Sequence, residues 1–290
     1  MKKILGIIGS PRKLGNCEIM VKEISRQVTT PHQLSLIRLI DFEILPCKGC
    51  YACLFKEKKC VQDDDLNTIL DSIVKADALI VSTPTYFLGP NSSLKRLTDR
   101  GLAFYAHVDK LWGKPALGVG ITGIEGKEGY TLLGIESFLK FILARIKKSS
   151  IVYGALPGEV FINGKNKKIA KDMAASLFGP APEKKGLACP LCGGDTFRFL
   201  SDGKVRCMLC SNAGTLTMET GHWVLTVHKG EHEMFLSKKA ALTHRDWLVG
   251  MKDRFIEQKK KLKEINIAYR KDGAWVKPSD ADEGNTSPAA

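Results

Sequence analysis

Cysteine is the residue whose spacing says most in this chain. Cys47-x2-Cys50-x2-Cys53-x6-Cys60 places four thiols within 14 residues. Thiols this close in one loop cannot form unstrained disulfides. They can wrap a cubane, because successive two-residue spacings recur in [4Fe–4S] sites. A zinc site or a free-thiol loop is the competing reading, but zinc prefers two well-separated pairs to a run of three. Gly49 leaves room for a tight turn. A second set, Cys189-x2-Cys192 and Cys207-x2-Cys210, has 14 residues between its pairs. Two CxxC pairs at that distance form a tetrahedral S4 site. The metal would hold together a module too small to build its own core. Closed S4 geometry accepts either Zn²⁺ or a rubredoxin-like single iron. The second knuckle, CMLCSNAG, lacks the Cys-Pro step and aromatic neighbours usual in rubredoxins, so zinc is the preferred occupant.

A different chemistry is written in Gly9-Ser10-Pro11-Arg12-Lys13-Leu14-Gly15-Asn16-Cys17, between an apolar run and a helical pattern. A helix N-terminus offers unpaired N–H groups and partial positive charge to an anion. Ser10, Asn16 and Cys17 can add side-chain donors, and Arg12 can pair with a dianion. The loop has neither the GxxxxGK[ST] nor the GxGxxG pattern, so it suits neither a triphosphate nor a dinucleotide. An ordinary capped strand–helix turn is the plainer alternative. A helix N-terminus lowers a thiol's pKa while a bound phosphate opposes this, so Cys17 reads as a donor and not a nucleophile.

The elements that must position these groups alternate. Apolar strands are expected at 3–8, 34–40, 78–82, 116–121 and 150–156. Helices are expected at 16–28, 63–75, 92–104, 130–147 and 166–178. Such alternation implies an α/β fold with a five-stranded parallel sheet and helices on both faces. The cysteine-rich loop fills 41–62, and GPAPEKKG (179–186) reads as a linker. The expected organisation is an α/β domain over 1–179, a zinc-ribbon-like module with its C-terminal helix over 187–270, and a disordered tail over 277–290. Within the module, HWVLTVH and EMFL read as strands and 238–263 as a basic helix. His222, His228, His232 and His244 match no metal spacing.

Composition narrows the class. The 290 residues are 44% hydrophobic and 26% charged, ordinary for a globular protein. No run of 18 apolar residues exists, so no membrane span is expected. The apolar stretch Ile4–Ile8 is too short for a secretory h-region. The expected location is the cytoplasm, where nine cysteines are metal ligands sooner than disulfides. The net charge of +13 divides as +7 over 1–150 and +6 over 151–290, so no basic arm stands out. A basic surface favours anionic partners such as acidic electron carriers. The ribbon offers only Phe197, Arg198, Phe199 and Arg206 as a basic-aromatic strip, which argues against nucleic acid.

The phosphate loop resembles that of NAD(P)H-dependent FMN reductase-type flavoproteins, which have the flavodoxin-like doubly wound fold. A second match is STPTYFLGPNSSLKRLTD (82–99) with Arg100, and a weaker third is ITGIEGKEG (121–129). The resemblance covers about residues 1–175. It implies that the 9–17 loop binds the FMN phosphate and that Pro84, Thr85, Tyr86 and Phe87 contact the flavin. Gly89 would permit the turn, and Thr122 and Gly123 would edge the ring. The compact cysteine run is similar to the C-x2-C-x2-C-x(4–7)-C motif of the iron–sulfur flavoprotein subgroup. That likeness implies one FMN and one [4Fe–4S] cluster per subunit of a homo-oligomer, dimer or tetramer. The expected function is electron relay between a one-electron donor such as ferredoxin and an acceptor, with no catalytic side chain. The alternatives are an NAD(P)H-dependent FMN or quinone reductase and a redox-sensing nucleic-acid-binding ribbon protein.

Overall fold

The computed structural model describes residues 1–55, 58–162, 164–181 and 186–276. Half of the linker reading (182–185) and the whole tail reading (277–290) lie outside the described residues. The first strand, β1 (Lys2–Ile8), is apolar on both sides, with Ile4, Leu5, Ile7 and Ile8 buried. A strand of that kind needs cover on both faces. The chain supplies it by alternating α1 (Asn16–Gln27), β2 (His32–Arg38), α2 (Leu66–Lys75) and β3 (Ala78–Tyr86). After a short β4 (Gly89–Pro90) come α3 (Ser92–Asp99), α4 (Leu102–Tyr105), α5 (Val108–Leu111) and β5 (Pro115–Thr122). The domain ends with α6 (Thr131–Phe141), β6 (Arg145–Tyr153) and α7 (Gly164–Phe178).

Five strands lie in the order β2-β1-β3-β5-β6, every neighbouring pair parallel, and β4 pairs antiparallel with the end of β3. This is the expected flavodoxin-like, doubly wound sheet. One core gathers residues of α2, α3 and α6, such as Ile69, Leu94 and Phe138. The other gathers Met20, Val21 and Ile24 of α1 with Met173 and Leu177 of α7. The register sets Ile8 beside Ser82 and Arg38, and Thr122 beside Tyr153. The carboxyl ends of the strands therefore form one edge.

Four expectations about elements are corrected. The helix expected over 92–104 stops at Asp99 and resumes as the short turns α4 and α5. Gly101, a poor helix former, sits at the break, and Arg100 turns its side chain inward there. The helix expected over 130–147 ends at Phe141, because Leu143 takes a left-handed φ of 62° and the chain turns into β6. The last strand accordingly runs from 145 to 153, not 150–156, pairing from Pro115↔Arg145 onward. The run FILARI is apolar at both helical and strand spacing, so periodicity gives no stop signal there. EMFL is not a strand. Phe235 is buried in the α/β core, its ring edge-on to Phe141 at 5.4 Å.

The C-terminal module is an antiparallel sheet of β7 (Phe197–Phe199), β8 (Lys204–Cys207), β9 (Ala213–Glu219) and β10 (His222–Val227). The helix α8 (Lys238–Ala268) follows. By contacts the chain divides into one unit, Met1–Val249, and a second beginning at Gly250. Ala241 and Leu248 of the first unit are buried with Phe235 in the α/β core. Among the described residues no helix is long and apolar enough to cross a membrane.

Glu18, in the first turn of α1, ties this turn to its surroundings. Its carboxylate accepts from Leu14 N at 2.9 Å, Lys22 Nζ at 2.6 Å and Arg38 Nη2 at 2.6 Å. Burial opposes the charge, yet these bonds hold the carboxyl well below its usual range, at about 2. A depressed carboxyl stabilises the fold above its unfolded pKa and loses that contribution as pH falls through the folded one. Glu18→Gln should therefore cost about 1–3 kcal/mol at neutral pH. The gap from wild type should close between about pH 4.5 and 2, which urea unfolding at a series of pH values will measure.

Candidate functional site

The phosphate loop leaves β1 where Gly9 N donates to Ser82 O at 2.8 Å. A Cβ on Gly9 would lie 2.7 Å from Thr83 Oγ1, so the two strand ends approach only with glycine there. Gly15 caps α1 without a side-chain hydrogen bond at the cap. The first-turn N–H groups are the donors an anion would use. Asn16 stitches this loop to the one after β6: its Nδ2 donates to Gly154 O and its Oδ1 accepts from Gly158 N, both at 2.9 Å. Arg12 Nη1 reaches Ala155 O at 3.0 Å. Burial pushes the Cys17 thiol up to about 12, outweighing the nearby Ser82 hydroxyl and Arg12 charge. At neutral pH it stays an S–H donor.

These groups surround a cavity of about 190 Å³. Ser10, Arg12, Asn16 and Cys17 line it from the loop, Pro84, Thr85 and Tyr86 from the end of β3, and Gly123 from beyond β5. Ile121, Gly154 and Ala155 complete the lining. Gly154 and Ala155 follow β6 and escaped the sequence reading, although the rule that ligands sit at strand carboxyl ends could have found them. Three expected residues stand outside the lining. Thr122 is buried behind it, its Oγ1 2.7 Å from Thr85 Oγ1. Gly89 is packed against Tyr130, whose ring would lie 2.4 Å from an added Cβ. Phe87 points wholly into solvent, and both it and Leu88 have left-handed φ, 48° and 66°.

The first cysteine loop starts beyond the carboxyl end of β2. Gly49 (φ 63°) and Tyr51 (φ 59°) reverse the backbone on either side of Cys50. Cys47 and Cys50 are exposed, Cys60 half-buried and Cys53 buried. Burial, then the neighbouring Cys60, Cys50 and Cys47, push the Cys53 thiol up to about 11. A thiol raised in this way needs a positive centre to become a ligand, which a cluster would provide. Asn67, on α2, fixes the loop's exit by donating to Cys60 O and accepting from Cys60 N, both at 2.9 Å.

The second set is already gathered. The Sγ atoms of Cys189, Cys192, Cys207 and Cys210 all lie within 4.8 Å of one another. Cys189–Cys210 is 3.8 Å and Cys192–Cys207 is 3.6 Å. A tetrahedron with metal–sulfur bonds of about 2.3 Å has edges of about 3.8 Å. Gly194 N donates to Cys192 Sγ at 3.3 Å and Asn212 Nδ2 to Cys210 Sγ at 3.4 Å. Hydrogen bonds from Cys192 and Cys207 draw the Cys210 thiol down, as a thiolate ligand requires. The histidines make no such group: His232 Nε2 bonds His244 Nδ1 at 2.7 Å, and Trp247 stacks on His244.

Fold and loops together define a flavodoxin-like domain of the FMN reductase type. The model of the NADPH-dependent FMN reductase family matches residues 2–131. An iron–sulfur flavoprotein of Archaeoglobus fulgidus is 39% identical over 101 residues, 34% of this chain and 48% of that protein. Another from the same organism is 30% identical over 159 residues, 54% of this chain and 71% of that protein. A third, from Methanosarcina thermophila, is 36% identical over 103 residues, 34% of this chain and 52% of that protein. The chain belongs to the iron–sulfur flavoprotein family. It spans about half the length of the first relatives it matches. A solved structure called flavone reductase has the same fold at a TM-score of 0.71 and 20% identity, covering 95% of this chain and 99% of that one.

The ribbon geometry yields a direct test. Replacing Cys192 and Cys207 by Ser in the full chain should remove one metal equivalent, as measured by elemental analysis. Amide exchange in β8 and β9 should rise strongly, because the metal supplies the folding energy of so small a sheet. The 9–17 loop should keep its protection.

Proposed function

We propose that this protein relays electrons through FMN held at the 9–17 loop and a [4Fe–4S] cluster held by Cys47, Cys50, Cys53 and Cys60. The observation that carries the reading is adjacency. The phosphate loop and the cysteine loop leave the carboxyl ends of β1 and β2, which are paired along their whole length. The family supports a flavin and an iron–sulfur centre as such, and the spacing of the first loop favours the cubane. When bound, the cluster would supply one-electron transfer and the flavin one- or two-electron transfer. The α1 N-terminus and Arg12 would bind the phosphate, and Ser10 and Cys17 would add donors. Thr85, braced by Thr122 and Thr131, and Tyr86 would border the ring.

The donor in this reading is a one-electron carrier of the ferredoxin kind, suited to the basic surface. The protein acts as a homo-oligomer, in which the exposed Tyr86-Phe87-Leu88 tip meets a neighbouring copy. Zinc occupies the ribbon.

Anaerobically purified protein should contain about four irons and four acid-labile sulfides beyond the ribbon metal, with one FMN and no FAD. Cys50→Ser should lose most of that iron and keep FMN. Its flavin should then be reduced far more slowly by a one-electron donor than by a hydride donor. Arg12→Ala should weaken FMN binding by about 1.5–3 kcal/mol, roughly ten- to a hundredfold in Kd. Zinc without labile sulfide at the first loop would overturn the relay in favour of a plain NAD(P)H-dependent reductase.

A further inference from the structure

One guanidinium in this fold is buried against a sulfur. Arg100 is 2% exposed, and its Nη2 donates to Cys60 Sγ at 2.9 Å. Its Nη1 donates to Leu45 O at 2.6 Å and also pairs with the fully buried carboxylate of Asp64. Asp64 in turn accepts from Leu45 N at 3.0 Å and Leu66 N at 3.1 Å. Leu45 lies two residues before Cys47. The pair thus clamps the entry of the cysteine loop to its exit. A buried ion pair is costly unless its remaining donors are used. Here one N–H is spent on the fourth cysteine of the run.

Arg100 also sits at the end of α3. The other end of that helix is set by Asn91, whose side chain accepts from Ser93 N at 2.9 Å and whose N donates to Pro84 O at 3.1 Å. One helix therefore runs from Asn91, bonded to the cavity-lining Pro84, to Arg100, bonded to Cys60.

We propose that Arg100 is a positioning residue for the iron–sulfur cluster: it orients Cys60 and raises the cluster's reduction potential through its N–H···S bond. The proposal rests on the reading that Cys47, Cys50, Cys53 and Cys60 hold a cluster. Reduction adds one electron and no proton to the iron–sulfur core. Hydrogen bonds to cluster sulfurs set its potential. A fixed cation at the sulfur favours the more negative, reduced form. Arg100→Lys keeps the charge and loses the fork, and Arg100→Met loses both.

The test uses the full chain, purified anaerobically and titrated reductively under EPR. Cluster-loaded Arg100→Met should show a midpoint shifted to more negative potential, with a smaller shift for Arg100→Lys and the FMN midpoint unmoved. A cluster midpoint unchanged in loaded variants, or one that moves only together with that of FMN, would overturn the proposal. Wild-type protein labelled with ¹⁵N-arginine decides the matter even if both variants fail to fold. Pulsed EPR of its reduced cluster should show a ¹⁵N coupling, and its absence would sink the N–H···S bond. Wild-type protein with zinc and no sulfide at this loop would fail the underlying reading as well, a result that metal analysis separates from the others.

Discussion

The site at the edge of the α/β sheet depends on the parallel pairing of β1 with β2 and β3. Parallel neighbours in register must end on the same side, so each strand delivers its following loop to one edge of the sheet. Three loops of unrelated composition meet there: a phosphate loop after β1, a thiol loop after β2 and an aromatic loop after β3. The geometry is strict enough to exclude a side chain at Gly9, where an added Cβ would stand 2.7 Å from Thr83. The hydrogen bonds of Asn16 extend the arrangement across the sheet to the loop after β6.

Burial then sorts the thiols by chemistry. Cys17 lies deep beside Ser10 and Ser82 and remains protonated. Cys189, Cys192, Cys207 and Cys210 stand at the edge length of a tetrahedron, with backbone and amide N–H groups already directed at the sulfurs. The first loop is looser. Two of its cysteines are exposed and two are shielded, and its ends are held by Asn67 and the Asp64–Arg100 pair. The ribbon sulfurs are set for one ion. The first loop is anchored at its ends.

What could be read from the sequence follows from the same distinction. Groups that are neighbours along the chain were legible: both cysteine sets, the 9–17 loop and the Pro84–Tyr86 run carry their spacing in plain view. The sheet was legible because strands apolar on both sides alternate with amphipathic helices. Groups recruited by topology were not. Gly154, Ala155 and Asn67 have no motif, and they matter only because strand order brings them to the site. The end of α6 was hidden because FILARI satisfies two periodicities, and pairing with β5 decides between them. Phe235 looked like part of a strand, and its partner Phe141 is far off in sequence.

Arg100 joins these two kinds of information. It ends a segment whose flavin-loop resemblance was visible, yet its side chain serves the other loop. Arg100 caps the C-terminus of α3, and from there its guanidinium reaches Asp64 and Cys60. The helix that starts beyond Pro84 thus ends on a residue bonded to a cysteine of the first cysteine loop. A packed connection of that kind ties the geometry of one loop to that of the other, a coupling that the proposed relay between them would use.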